Sequence, residues 1–265
     1  MLPFNIIEPT AAQVPIIISS PHSGTEIPDE IASRLKPDLL VARDDADWYI
    51  DWLYDFAPAL GITMITAKYH RWVIDLNRDP DSQPLYDDGR VITELVPTTN
   101  FNGEELYVGE TPDQQEIAHR LETYYRPYHQ QVSELLATTK AKFGKVLLFD
   151  AHSIRRVVPG IRPEPFPDLI LGDNEGSSAS NAIIETAIGA LQTGEYDLQH
   201  NHPFKGGYIT RSFGKPEEQV HALQLEMSKT NYMDKDQICY DELQAKPIRN
   251  LLRQLFRELI VELAK

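Results

Sequence analysis

The sequence predicts an α/β protein in which a mainly parallel or mixed sheet carries helices on both faces. Short apolar runs alternate along the chain with segments of helical periodicity. Two of these runs, residues 16–18 and 146–149, are followed by small residues and a histidine. Runs bounded in this way are typical of strands buried on both faces. Because loops beyond strand ends hold the functional groups of open α/β sheets, the two histidines are the first candidates for a site.

Length and composition suit a single domain spanning residues 1–265. Of these residues, 42% are hydrophobic and 25% are charged, as in ordinary globular proteins. The formal net charge of -15 argues against nucleic acid and anionic membranes as partners, because both bind basic surfaces. The single cysteine, Cys239, excludes an intrachain disulfide and a cysteine zinc site. We find neither a signal peptide nor a membrane-spanning segment and expect a cytoplasmic protein, whose oligomeric state the sequence leaves open.

The first half of the chain is predicted to form three strands and one helix, followed by a long loop. The strands are residues 14–19, 63–67 and 72–76. The helix is residues 45–60, with acidic residues in its first turn. Prolines, aspartates and asparagines then accumulate without periodicity over residues 77–110. A loop of this length in a compact domain is typical of a functional lid or a flexible segment.

The second half is predicted to alternate helices with strands. A capping box at residues 111–114, with proline at the first helical position, starts a long helix that runs towards Gly144 and is kinked at Pro127. The following elements are a strand ending at Asp150, a strand at 169–171, a helix at about 178–192, and strands near 208–212 and 220–227. Eight apolar side chains then form one helical stripe: Ile248, Leu251, Leu252, Leu255, Phe256, Leu259, Ile260 and Leu263.

His22 and His152 could share one metal ion. Zinc in hydrolases commonly has two histidines and one carboxylate as protein ligands, which leaves one position for water. The carboxylate could come from the acidic stretch at residues 43–47 or from Glu26. Asp150, two residues before His152, could orient the imidazole or bond backbone amides at the strand end.

The other six histidines are predicted to have no catalytic role. His119 and His129 lie on the polar side of the long helix and are expected at the surface. His70 and His221 are expected to be structural, with local hydrogen bonds. Residues 200–202, HNH, superficially resemble a nuclease motif, but an acidic chain without a basic patch argues against that function.

Three polar residues near strand ends, and a fourth within a strand, are candidates for substrate binding and proton transfer. Asn77 and Arg78 follow a predicted strand, where an amide and a guanidinium can jointly hold a carboxylate. Arg211 offers a second such place, near two glycines that permit close approach. In the last predicted strand, Glu226 faces away from the apolar side chains. It therefore meets solvent or points into a polar cavity as a general base.

Six short motifs resemble the N-formylglutamate amidohydrolase family. They are PHSG at 21–24, DADW at 45–48, DLNR at 75–78, DAHS at 150–153, asparagine 201 with FKGGYITR at 204–211, and QLE at 224–226. No single motif is specific, but six in register across nearly the whole chain make a chance match improbable. This family resembles zinc carboxypeptidases and aspartoacylase, which implies a three-layer α/β/α fold of the phosphorylase/hydrolase type.

The resemblance implies His22, Asp45 and His152 as metal ligands and Glu226 as the general base. Carboxypeptidase-like sites take their acidic ligand three residues after the first histidine, where this chain has Thr25. The acidic ligand is therefore where this sequence departs from the related pattern.

The resemblance further implies residues that bind the substrate. Asn77 and Arg78 are assigned to a substrate carboxylate, and Arg211 is a candidate for a second one. Arg71, by analogy with aspartoacylase, is assigned to polarise the scissile carbonyl.

The implied activity is hydrolysis of N-formyl-L-glutamate to formate and L-glutamate with zinc, as the last step of a histidine degradation route. Cobalt, manganese or iron could replace zinc, because histidine and carboxylate ligands suit these metals too. One alternative is a related zinc-dependent deacylase or carboxypeptidase that acts on another N-acyl amino acid. Another is a non-catalytic amino-acid-binding protein. The remaining alternative is an α/β domain whose histidines are structural.

Overall fold

A computed structural model describes residues 2–42, 45–81 and 94–265 of the chain. Within these residues one sheet has seven strands: β1 (Phe4–Ile7), β2 (Ile16–Ser20), β3 (Thr63–Ala67), β4 (Val146–Ile154), β5 (Leu169–Gly172), β6 (Leu198–His200) and β7 (Val220–Ser228). Their order is β1-β3-β2-β4-β7-β5-β6. The four central strands β3, β2, β4 and β7 are parallel, whereas β1 and β5 pair antiparallel with β3 and β7. The sheet is therefore mixed, as the sequence predicts.

Helices cover both faces of this sheet. They are α1 (Asp29–Ala32), α2 (Pro37–Ala42), α3 (Ile50–Leu53), α4 (Gln114–Arg120), α5 (Arg126–Phe143), α6 (Asn181–Leu191), α7 (Tyr208–Phe213) and α8 (Glu242–Leu263), with a π-helical turn at Leu121–Tyr125. Alternate side chains of β4 divide between two cores. Leu147 and Phe149 join α6 and α8 on one face, and Val146 and Leu148 join α5 on the other. The structure confirms the predicted α/β/α layers.

The long helical segment begins later than the capping box predicts. Asp113, and not Thr111, is the N-cap, because its carboxylate accepts a hydrogen bond from Glu116 N at 2.8 Å. Pro112 therefore lies before the helix. The π-helical turn comes next and ends where α5 begins. Pro127 lies in the first turn of α5.

Three predicted elements differ in the structure. Residues 72–76 are buried as expected of a strand, but they form turns and pair with no strand among the described residues. Residues 208–212 form helix α7, because Asn77 Oδ1 accepts the backbone N–H of Ile209 in its first turn. The predicted helix at 45–60 is reduced to α3 and a 3-10 turn at Ala57–Leu60.

Other predicted elements are confirmed. The strand at residues 63–67 and the apolar stripe of α8 are present, although Ile260 is only partly buried. The short strands β1 and β6 were not predicted. The predicted lid at residues 77–110 has no helix or strand in its described parts, and residues 82–93 lie outside the described residues. No helix in the described part of the chain combines the length and the apolar character needed to cross a membrane.

Candidate active site

The side chains of His22, Asp47 and His152 converge. His22 follows β2 and His152 lies within β4, and these two strands are parallel neighbours. The ring centroids are 4.9 Å apart. The Nδ1 atoms of His22 and His152 lie 3.8 Å and 2.9 Å from Asp47 Oδ2. All three residues are buried, and two imidazole nitrogens with one carboxylate oxygen suit zinc and related divalent ions, so this group could bind a metal.

Each of the two histidines also contacts a second carboxylate. His22 Nε2 lies 2.7 Å from Asp75 Oδ1, and His152 Nε2 lies 2.9 Å from Asp150 Oδ2. A carboxylate on the distal ring nitrogen fixes the tautomer and orientation of a metal-binding imidazole. This arrangement leaves Nδ1 of both rings directed towards Asp47. Of the two roles left open for Asp150, the structure favours orientation of the imidazole.

The pKa values of the two imidazoles shift in opposite directions. Burial and the nearby Arg71 charge lower the pKa of His22. Burial would lower the pKa of His152 as well, but Asp150 and Asp47 outweigh it and raise that pKa well above its usual value. The two carboxylates favour the protonated form of His152, and a cation bound at Asp47 would compete with a proton on that ring.

Asp45 lies apart from this cluster. Its carboxylate accepts hydrogen bonds from Trp72 Nε1 at 2.8 Å and from Phe101 N at 3.1 Å. Asp47, two residues later, is held at the histidines because its backbone N–H donates to His22 O at 2.9 Å. The structure thus places Asp47, and not Asp45, beside the two histidines, because backbone contacts between distant segments orient this stretch.

The other candidates for the acidic ligand do not reach the cluster among the described residues. Glu26 is exposed, and its backbone pairs with Tyr69 in an isolated bridge. This pairing directs the chain after His22 away from the site. Residues 43–44 of the acidic stretch lie outside the described residues.

A buried charge network adjoins His22. Asp75 is fully buried, forms an ion pair with Arg71, and lies 3.7 Å from Arg78 Nε. Burial would raise the pKa of Asp75, but the charges of Arg71 and Arg78 outweigh it and hold the pKa well below its usual value. The Arg71 guanidinium also interacts with the Asp47 carboxylate and lies 4.7 Å from the Phe101 ring centroid. Arg71 is therefore a fixed positive charge at the edge of the cluster.

Asn77 connects the cluster to helix α7. Its Nδ2 donates to Asp150 Oδ2 at 3.1 Å and lies 2.9 Å from His152 Nε2. Its Oδ1 accepts from Ile209 N at 2.8 Å, and its backbone N–H donates to Asp75 at 2.9 Å. The amide is thus engaged within the protein, and its contact with a substrate carboxylate stays a prediction.

Glu226 lies in β7, directly opposite His152 in the parallel register. It is partly buried, and its neighbours in sequence point into the apolar core. Burial raises the pKa of Glu226 to about 8. The charges of His152 and Arg71 lower this pKa, whereas those of Asp47 and Asp150 raise it. A carboxylate that titrates near neutral pH suits general acid–base chemistry.

Arg78 and Arg211 lie around this group on different elements. Arg78 follows Asn77 and has 21% of its side chain exposed. Arg211 lies in α7, where its Nε donates to Gly206 O at 2.8 Å. Their roles in substrate binding stay predictions.

The surroundings of the other histidines mostly agree with expectation, with a difference at His129. His119 is exposed, and His70 and His221 each accept a hydrogen bond from a backbone N–H. In the segment 200–202, His200 Nε2 lies 2.6 Å from Asp173 Oδ2 and Asn201 Nδ2 donates to Asp173 Oδ1 at 2.6 Å. His129 is half-buried and not fully exposed, because the π-helical turn and α7 place it among aromatic rings.

Comparison with known proteins identifies the family of this chain. The model of the N-formylglutamate amidohydrolase family matches residues 14–233. The chain belongs to this family. It is 40% identical over 251 residues to the N-formylglutamate deformylase of Pseudomonas aeruginosa and 39% identical over 252 residues to that of Pseudomonas putida. Each alignment covers 94% of this chain and 93% of the relative.

Solved structures share the fold. The crystal structure of N-formylglutamate amidohydrolase from Ralstonia eutropha JMP134 superimposes with a TM-score of 0.78 at 24% identity. The alignment covers 100% of this chain and 96% of the Ralstonia chain. A gene product of Agrobacterium tumefaciens has the same TM-score at 18% identity and covers 100% of this chain and 97% of that one. The family and fold expected from the six motifs are confirmed.

Sequence reasoning assigned no role to Asp75. The signal that could have found it is its position, because Asp75 follows a buried apolar run just as Asp150 does. Both carboxylates contact the Nε2 atom of a histidine.

Proposed function

We propose that this chain hydrolyses N-formyl-L-glutamate to formate and L-glutamate with the help of a divalent metal ion, with zinc as the first candidate. The observation that carries the proposal is the convergence of His22, Asp47 and His152 beside Glu226. The names of the two Pseudomonas relatives support the substrate.

His22, Asp47 and His152 are the residues that would hold the metal. Their donor atoms fit a divalent ion. Asp75 and Asp150 contact the Nε2 atoms of the two imidazoles and so orient the rings. When bound, such an ion supplies Lewis acidity, which lowers the pKa of water from about 15.7 to about 7 and polarises a carbonyl.

Glu226 transfers the proton in this reaction. Its carboxylate takes a proton from the attacking water as the water oxygen bonds to the formyl carbon. The same proton passes to the glutamate nitrogen as the carbon–nitrogen bond breaks, which gives the free amine and formic acid, and the formic acid then loses its proton to become formate. The raised pKa of Glu226 suits both steps, since the group must accept and release one proton.

Arginines supply the complementary charge. Arg71 is buried and oriented by Asp75, so its guanidinium is suited to stabilise negative charge developing on the formyl oxygen. Arg78, with Asn77, and Arg211 are the candidates for the two substrate carboxylates. Charge-assisted hydrogen bonds of about 1.5 to 3 kcal/mol each would then favour formylglutamate over neutral formamides.

A formate assay tests this proposal. The protein is stripped with a chelator, reloaded with zinc, cobalt or manganese, and supplied with N-formyl-L-glutamate, N-formyl-L-glutamine or N-acetyl-L-glutamate. We expect metal-dependent formate release, with kcat/KM about 10- to 150-fold lower for the glutamine analogue, which lacks one carboxylate.

Each alternative activity predicts a different result. Faster release of acetate than of formate would indicate a related deacylase. Binding of the substrate without turnover would indicate an amino-acid-binding protein. No formate from any metal-loaded sample would overturn the proposal.

A further inference from the structure

Two side chains hold the backbone on either side of Asn77. Tyr125 donates its hydroxyl hydrogen to Arg78 O at 2.7 Å. His129 Nε2 donates to Leu76 O at 2.8 Å. The carbonyl groups of Leu76 and Arg78, the residues on either side of Asn77, are thus both bonded to the long helical segment.

These two side chains form a rigid pair. Tyr125 ends the π-helical turn and His129 lies one turn later in α5, so both project from the same side of the segment. Their rings stack with centroids 4.1 Å apart and an interplanar angle of 16°. Phe213 of α7 stacks on the other side of His129 at 5.8 Å. A π-helical turn is rare and often occurs at functional sites, and here it ends on the residue that bonds Arg78.

The protonation state of His129 is compatible with its hydrogen bond to Leu76 O. Burial lowers the pKa of His129 to about 4. The ring is therefore neutral near pH 7, and its single N–H is the one that Leu76 O accepts.

We propose that Tyr125 and His129 are positioning residues that act on the active site through Asn77. The inference rests on the proposed function for its kinetic consequences. The short side chain of Asn77 hydrogen-bonds both the Asp150 carboxylate and the backbone N–H of Ile209. A small shift of the Asn77 backbone therefore breaks one of these two hydrogen bonds. Fixing the flanking carbonyls prevents such shifts. The His152–Asp150 contact then keeps the geometry that a metal-binding imidazole requires.

The test compares Tyr125→Phe and His129→Phe, which remove the donors but keep aromatic rings, with the matched control Tyr124→Phe. Tyr124 is buried in the same π-helical turn. We expect Tyr125→Phe and His129→Phe each to lower kcat/KM, and zinc affinity of the stripped protein, by about 10-fold or more. Tyr124→Phe should stay within twofold of wild type in both measurements. His129→Gln, which restores an N–H donor, should recover part of the loss.

A double-mutant cycle distinguishes positioning from general packing. In an Asn77→Ala background, Tyr125→Phe should change kcat/KM and zinc affinity by less than twofold. Equal losses in both backgrounds, or no loss in the wild-type background, would overturn the inference. If wild type released no formate, the proposed function would fail, and the zinc measurement would still decide this inference. Thermal unfolding of every variant identifies any that does not fold.

Discussion

Gly207→Ala is the sharpest steric probe of the active site. An added Cβ atom would lie 2.6 Å from Asn77 Oδ1 and 2.7 Å from Asn77 Cγ, and closer still to Nδ2. Carbon atoms in contact prefer about 3.5 to 4.0 Å. The Asn77 amide must therefore move by about 1 Å, which disturbs its hydrogen bonds with Asp150 and Ile209. The backbone of Gly207 has φ -80° and ψ -169°, which alanine adopts without strain, so the effect comes from the methyl group alone.

The size of the effect follows from this displacement. Misplacement by about 1 Å can cost about 100-fold in rate, or about 2.7 kcal/mol at 1.36 kcal/mol per factor of ten. An additional methyl group in a packed interior also costs about 1 to 3 kcal/mol of stability. We therefore expect Gly207→Ala to lower kcat/KM for formate release about 100-fold while the protein still folds.

The assay combines formate release with chemical unfolding. Gly189→Ala is the matched control, because a Cβ atom at Gly189 in α6 meets no atom within 4 Å. This control should keep wild-type kcat/KM and should not be destabilised, since alanine favours a helix over glycine. If Gly207→Ala kept kcat/KM within threefold of wild type, the argument that Asn77 must be held in place would be refuted.

Three further predictions test other parts of the site. The Asp47→Asn variant should lose most of its zinc, whereas the Asp45→Asn variant should retain near-stoichiometric zinc. Metal analysis after gel filtration measures both. The reverse pattern would restore Asp45 as the ligand. Glu226→Gln should abolish formate release and retain zinc, and near-normal turnover would refute the general-base role. Burial lowers the pKa of His129 from 6.5 to about 4, so unfolding binds a proton in this range and stability should fall as the pH falls from about 6.5 to about 4. At 1.36 kcal/mol per pKa unit this loss is at most about 3 kcal/mol, and denaturant titrations should show that His129→Gln lacks it.

The sequence predicted most of the fold because burial leaves a local pattern. Apolar runs identified β3 and β4, and the helical stripe identified α8. The apolar pattern gave a wrong prediction where a segment is buried but does not pair with a strand. Residues 72–74 and Leu76 are apolar because they fill the core, but a run of buried residues does not reveal whether a strand lies beside it.

The sequence by itself determined the family, the two metal-site histidines as candidates, and the alternation that turns Glu226 away from the apolar core. Only the tertiary structure decided that Asp47 meets those histidines, that residues 208–212 form a helix on Asn77, and that His129 is held among aromatic rings. The physical reason is the length of chain between partners. Asp47 and His152 are 105 residues apart, and Asn77 and Ile209 are 132 apart, so the contacts that orient them leave no trace in local spacing or propensity.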